Sequence, residues 1–367
     1  MTVNRPFKLT WICKRRYTNK DLLGDRFGRL YHYPVLLGKL GFESLVLALD
    51  YRGREPLRLT QEQVEFRSIP LGYVHWLRAY HFVCDAARLQ EPDAVLASGD
   101  SHLGWLGLHV ARSLGVPFIF DVYDDYRTFG TNKVPGMRGL FRRSVEQADL
   151  VLCASVPLMR RLQYLTSRIQ VLGNGVDPSL FRPLDKGAAR NELGIEQDAP
   201  VVGYFGSMQS DWGTLTLIEA CLALQNEFPQ LRVLLAGHNN TGRNLGGGFV
   251  TYLGNVPQSR VPWLINACDV VAMPYHQTER VEAINPCKLA EYLACSAAIV
   301  ASRVTDLSVS LAACPRGLCE PGDPRSLALA LRNQLLTPCR VQFPKDMTWE
   351  SKSESLASDI AGIIGAT

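Results

Sequence analysis

The stretch "VVGYFGSMQSDWGTLTLIEACLALQNEFPQLRVLLAG", residues 201–237, decides the fold. An apolar strand, 201–206, runs into a glycine turn, an amphipathic helix follows near 213–228, and a second apolar strand fills 231–237. Two near-continuous apolar strands joined through a helix predict a parallel pair with a crossover, buried on both faces. The pattern continues with strands at 250–255, 270–275 and 298–302. It also occupies the first half of the chain, with strands at 9–14, 44–50, 94–99, 117–124, 150–155 and 169–174. Helix-like segments near 27–40, 73–90, 102–114, 136–148 and 156–166 separate them.

A chain of 367 residues exceeds one comfortable core, and the alternation starts afresh after the Gly-, Pro- and Asp-rich segment 174–200. The expected class is α/β, with two doubly wound Rossmann-like domains, 1–178 and 179–345, facing a central cleft. An amphipathic helix in 346–367 is expected to pack back on the first domain. Ligands of such sheets bind at the carboxyl ends of the strands.

An apolar fraction of 47% and a charged fraction of 20% are those of a globular protein, and no apolar run approaches a membrane span. No apolar leader is seen at the N-terminus. The ten cysteines are scattered and none forms a C-x-x-C pair, which argues against a disulfide framework or structural zinc and for a reduced, cytoplasmic protein. The net charge of +4 does not imply nucleic acid. It is uneven: the first 30 residues hold Arg5, Lys8, Lys14, Arg15, Arg16, Lys20, Arg26 and Arg29 against Asp21 and Asp25. Such a basic lip fits phosphates, peripheral contact with an anionic inner membrane surface, or simply a solvated face.

Four strand ends carry candidate chemistry. Gly206 and Ser207 open a loop that reads either as a phosphate approach or as a plain strand-to-helix turn. In "INPCKLAEYLAC" (284–295), Asn285 is a good N-cap and Pro286 suits the first helical position. Lys288 then opposes the helix dipole, which makes sense if an anion sits there with it. The plainer alternative is an i, i+3 ion pair between Lys288 and Glu291. Asp121, Tyr123, Asp124 and Asp125 cluster at another strand end, pointing to binding or acid/base work. Gly24, Asp25, Arg26 and Gly28 form a loop after the first strand, expected to line the cleft from the first domain.

In "VLGNGVDPSLFRP" (171–183), in "NPCKLAEYLACSAAIVAS" (285–302), and in the order and spacing of "LRVLLAG" and "VTYLGNVPQSRVPWLINACDVVAMPY", the chain resembles the retaining glycosyltransferases of family 4, which have the GT-B fold. The resemblance covers nearly the whole chain. It implies a nucleotide-diphosphate sugar donor held by the C-terminal domain, a saccharide or lipid-linked acceptor held by the N-terminal domain, transfer with retention, and no bound metal. By resemblance, Glu291 contacts the donor ribose, Asn285 and Lys288 face the donor sugar and phosphates, Gly206 begins the phosphate loop, and Asn255 and Val256 hold the base. Helix N-termini at Gly206 and Asn285, with Lys288, would stabilise the leaving diphosphate, while Asp124 or Asp125 orients hydroxyls. The chain departs from the family pattern at Ala283, where a glutamate is usual and Glu282 is one position off. It departs again at Ser207 and Trp212, where arginine and lysine are usual, at Tyr123 or Asp124, where a histidine is usual, and at Ser296, where glycine is usual. The implied setting is bacterial lipopolysaccharide or surface-polysaccharide synthesis. A nucleotide-sugar epimerase and a catalytically degenerate sugar-nucleotide-binding protein are the alternatives.

Overall fold

In a computed structural model the described residues are 5–17, 20–53, 56–71, 76–304 and 306–366. They form two compact units. The first comprises Met1–Gly175, Ala283–Asn285 and Trp349–Thr367, and the second comprises Val176–Glu282 and Pro286–Thr348. The division falls three residues before the expected one. The helix Trp349–Gly365 belongs to the first unit, where Trp349, Leu356 and Ile360 are buried with Leu30, Tyr33 and Leu37.

The first unit is an eight-stranded sheet in the spatial order Ile169–Val171, Leu150–Cys153, Phe118–Val122, Ala94–Ser98, Phe7–Lys14, Phe42–Asp50, Val64–Pro70, Arg58–Gln61. All pairs are parallel except the last. The strands at 58–61 and 64–70 were not expected. The first alternates exposed polar with half-buried residues, which leaves no apolar run to read, as suits an edge strand. The helix expected near 73–90 is seen as Trp76–Gln90, residues 73–75 lying outside the described residues. The second unit is a six-stranded parallel sheet in the order Val250–Tyr252, Arg232–Ala236, Val201–Phe205, Val270–Met273, Ile299–Ser302, Leu318–Cys319. Fully buried strands such as Val201–Phe205 and Phe118–Val122 explain the unbroken apolar runs.

Segment 174–200 is not wholly a connection. It contains the helix Lys186–Leu193, capped by the Asp185 side chain accepting from the Ala188 amide and ended by Gly194. One cysteine expectation is overturned: Cys314 and Cys339 form a disulfide, brought together by the turn after the helix Pro324–Leu336. Among the described residues no helix is long and apolar enough to cross a membrane.

The basic lip is largely neutralised within the first unit. Arg5 pairs with Asp93, Lys14 with Asp100, Arg15 and Arg16 with Asp21 and Asp50, and Arg29 with Asp121. Asp121 is therefore core, contrary to the expectation that it belongs to a cluster for binding or acid/base work. Arg29 is 1% exposed and Asp121 2% exposed, with Nη2 and Nε of Arg29 donating at 2.7 and 3.1 Å and Ser98 Oγ adding a third bond at 2.8 Å. Burial still pushes the Asp121 carboxyl up from its ordinary value.

An uncompensated buried charge is expensive. Arg29→Leu should lower stability to urea by about 3–5 kcal/mol, and Arg29→Leu combined with Asp121→Leu should recover most of that loss. Equal loss in the single and double variants would show that the pair is not the source.

Candidate functional site

The chain runs outward from Val201–Phe205 through Arg232–Ala236 to Val250–Tyr252. It then returns to the other side of Val201–Phe205 with Val270–Met273. The topological switch point of the second unit therefore lies between the strands that end at Phe205 and Met273, and such points are where doubly wound sheets bind ligands. Gly206 follows the first of these strands and Pro274-Tyr275 the second. Gly206 has φ 136°, and its amide donates to Ala236 O at 2.8 Å. A Cβ on Gly237 would lie 2.1 Å from Gly206 O, so the two strand ends meet backbone to backbone.

Lys288 comes to this point from the helix Cys287–Ala294. Its Nζ donates to Tyr204 Oη at 2.8 Å and lies 4.0, 5.3 and 5.7 Å from the ring centres of Tyr204, Tyr275 and Trp212. A Cβ on Gly206 would sit 3.1 Å from Nζ, so the glycine leaves room for the ammonium. Tyr204 Oη in turn donates to Ser207 O at 2.7 Å. The i, i+3 ion pair with Glu291 does not form: among the described residues Lys288 makes no ion pair. Packing on three aromatic rings strips water from the ammonium. Desolvation lowers its pKa to about 7, against the pull of the Glu291 charge. Desolvation likewise raises Glu291 to about 7. Each cation–π contact returns about 0.5–2 kcal/mol of the desolvation cost.

The other expected donor residues are spread more widely. Ser207 Oγ is buried without a partner. Glu282 is half-buried on the short helix Glu279–Ala283. Asn255 is exposed after Gly254, and Val256 lines a cavity of about 540 Å³ with Leu253, Arg232 and Arg260. Asn285 is not the N-cap. Pro286 takes that position without a side-chain bond, and Asn285 belongs to the first unit. There its Oδ1 accepts from the Asn174 amide at 2.6 Å and its carbonyl from Asn174 Nδ2 at 2.7 Å, so both of its oxygens are already engaged.

In the first unit, Asp125 has a structural job in place of a catalytic one. Its carboxylate is buried, bonded to Arg127 at 2.8 and 2.9 Å and to Arg161 at 2.9 Å, and it caps the turn Tyr126–Thr128. Burial alone would raise its pKa, but the two guanidinium groups outweigh that and hold it below the ordinary range. Tyr123 packs edge-on to Tyr17 and Tyr126, and burial raises its phenol pKa, so it is no ready base. Asp124 Oδ1 accepts from the Asp125 amide at 2.8 Å. Gly24, Asp25 and Arg26 are exposed, and the Asp21 amide donates to Asp25 Oδ2 at 2.6 Å. Gly28 (φ 72°) caps Arg29–Lys39 where a Cβ would strike Tyr17 Oη at 1.8 Å.

Sequence reasoning passed over a group at the first unit's own switch point, between Phe7–Lys14 and Ala94–Ser98. His102 Nδ1 meets buried Asp100 at 2.6 Å, Lys14 Nζ bonds the other Asp100 oxygen, and Tyr51 Oη bonds His102 Nε2. Burial would raise the Asp100 pKa, but His102 and Lys14 lower it. Tyr204, Tyr275 and Arg280 of the second unit were also missed. Lys14, Asp100, Tyr51 and Tyr275 each end or follow a strand, so the test of reading strand ends would have found them.

Residues 199–336 match the family described as glycosyl transferases group 1, and residues 31–175 match the glycosyl transferase 4-like domain. The D-inositol 3-phosphate glycosyltransferase of Mycobacteroides abscessus is 27% identical over 289 residues, 70% of this chain and 62% of the relative. That of Segniliparus rotundus is 31% identical over 234 residues, 57% of this chain and 50% of the relative. The chain thus spans between half and two thirds of the length of these relatives. Among solved structures, sucrose-phosphate synthase from Thermosynechococcus elongatus superposes with a TM-score of 0.74 at 17% identity, covering 98% of this chain and all of that one. Anabaena HepE in complex with UDP and glucose superposes at 0.69 and 18% identity, covering 98% of each chain. The chain belongs to the family 4-type glycosyltransferases, and its fold is GT-B.

The paired titrations carry a sign. Lys288 keeps its proton up to about 10.5 when unfolded but releases it near 7 when folded, so stability should rise with pH between those values. Glu291 releases its proton near 4.5 when unfolded but near 7 when folded, so stability should fall with rising pH between those values. Together they contribute a stability minimum near pH 7. In unfolding measurements across pH, Lys288→Met should remove the alkaline limb and Glu291→Gln the acid limb. Unchanged profiles would contradict these protonation states.

Proposed function

We propose that the protein transfers a sugar, with retention, from a nucleoside-diphosphate donor bound at the second unit's switch point. The saccharide or lipid-linked acceptor is bound by the first unit. One observation carries the reading. A lysine ammonium with no carboxylate partner among the described residues is held where a doubly wound sheet binds its ligand, beside a glycine that keeps the space open. An anion completes that arrangement.

The chemistry follows from charge. The bond between the anomeric carbon and the diphosphate oxygen breaks, and negative charge develops on the departing diphosphate. Lys288 stabilises that charge. The acceptor hydroxyl oxygen bonds to the same face of the anomeric carbon, and its proton passes to the departing phosphate. Glu291, three residues on from Lys288, is proposed to accept hydroxyl hydrogen bonds from the donor ribose. Within this reading Asp124 is the candidate to orient a hydroxyl, Asp125 being held by Arg127 and Arg161. A cytoplasmic setting and synthesis of lipopolysaccharide or surface polysaccharide form part of the same proposal. The relatives are named instead for D-inositol 3-phosphate and sucrose-phosphate, so small phosphorylated acceptors belong in the first assays.

A nucleoside diphosphate at 100 times its Kd should add about 2.7 kcal/mol of stability, read as a thermal shift. Lys288→Met should abolish most of that shift. Transfer should survive a chelator, because side chains are proposed to meet the diphosphate charge. No shift with UDP, GDP, ADP, CDP or dTDP would contradict the proposal. A new nucleotide sugar formed from the donor alone would point to the epimerase alternative.

A further inference from the structure

The loop from Gly206 to Gly213, "GSMQSDWG", holds no lysine or arginine. Two cations reach it from elsewhere in the second unit, and they share one indole. Lys288 Nζ lies 5.7 Å from the Trp212 ring centre and Arg280 Cζ 5.8 Å from it. Arg280 Nη1 donates to Gln209 Oε1 at 3.2 Å, which ties the guanidinium to the loop. Among the described residues Arg280 has no carboxylate partner, and its Nε is buried without an acceptor.

Among the described residues, three more buried polar groups here lack partners: Ser207 Oγ, Trp212 Nε1 and Tyr275 Oη. Tyr275 is fully buried. Its ring packs edge-on to Trp212 with centres 4.9 Å apart. Buried groups left unpaired are costly and uncommon, and a set of them around one loop calls for a ligand. The indole N–H and the guanidinium can only donate, and the two hydroxyls can also do so. The missing partner is therefore rich in acceptor oxygens and negatively charged. One lysine and one planar guanidinium suit a diphosphate, which spreads its charge over two phosphoryl groups.

We propose that Arg280 is the second arm of a diphosphate grip whose first arm is Lys288, with Trp212 as the spacer that both cations rest on. Ser207, Trp212 and Tyr275 supply donors to the same oxygens. This rests on the reading of the second unit as the donor site and adds to it a residue, Arg280, and the chemical group it holds.

The test is calorimetric titration of the full chain with a nucleoside, its monophosphate, its diphosphate and inorganic pyrophosphate, using the base that the unaltered protein prefers. Arg280→Met should weaken the diphosphate by about 10- to 100-fold and leave the nucleoside unchanged. Pyrophosphate should weaken in parallel, and Arg280→Lys should recover part of the loss. Thermal unfolding without ligand should be unaltered in both variants. Diphosphate affinity unchanged in Arg280→Met would overturn the proposal. So would an equal loss for nucleoside and diphosphate, which marks a structural role, or a loss confined to the nucleotide sugar, which places Arg280 on the sugar. If the unaltered protein binds no diphosphate, the donor-site reading itself falls, and this proposal with it.

Discussion

The second unit is organised around a lysine ammonium that has no ion-pair partner among the described residues. Lys288 rests on Tyr204, Tyr275 and Trp212, and its one strong bond is to a phenol. Three features make that possible. Gly206 leaves space beside Nζ, the contact between Gly237 and Gly206 sets the loop's path, and the helix Cys287–Ala294 delivers the side chain from the return half of the sheet. A carboxylate in that space would neutralise the ammonium and leave no charge for an incoming anion to meet. Without one, the protein carries a desolvated cation ready for an anion, at a cost in stability near neutral pH.

Several charges of the first unit are handled in the opposite way to Lys288. Several of its cations are matched by carboxylates: Arg29 by Asp121, Arg15 by Asp21 and Asp50, and Arg127 and Arg161 by Asp125. Among the described residues, one ion pair, Arg29–Asp121, joins the basic lip to the acidic cluster; the other paired lip cations meet Asp93, Asp100, Asp21 and Asp50. The residues at that unit's switch point, Lys14, Asp100, His102 and Tyr51, are likewise bonded to one another. In the second unit Lys186, Arg190, Arg303 and Arg332 are paired with carboxylates as well, whereas among the described residues Lys288 and Arg280 have no carboxylate partner.

Much of the architecture was legible because buried parallel strands need unbroken apolar runs. Every strand expected at 201–206, 231–237, 270–275 and 298–302 is present within a residue or two. Edge strands such as Arg58–Gln61 were not legible, since one solvated side removes the signal. At the site, Lys288 and Gly206 could be read from their places at a helix start and a strand end. Asn285 was misjudged because its competing partner, Asn174, is 111 residues away. Asp121 and Asp125 were misjudged for the same reason: sequence shows a carboxylate but not the guanidinium that neutralises it. The disulfide between Cys314 and Cys339 joins two cysteines with no motif spacing, so only the three-dimensional path reveals it.

The account's central claim is that Lys288 is the primary anchor of a nucleoside diphosphate at the strand end marked by Gly206. The most direct measurement is a crystal structure of the chain with its preferred nucleoside diphosphate. The account predicts a phosphoryl oxygen within hydrogen-bond distance of Lys288 Nζ, with the diphosphate over the Gly206–Ser207 turn. A well-ordered diphosphate elsewhere on the chain, with Lys288 still bonded only to Tyr204, would contradict it.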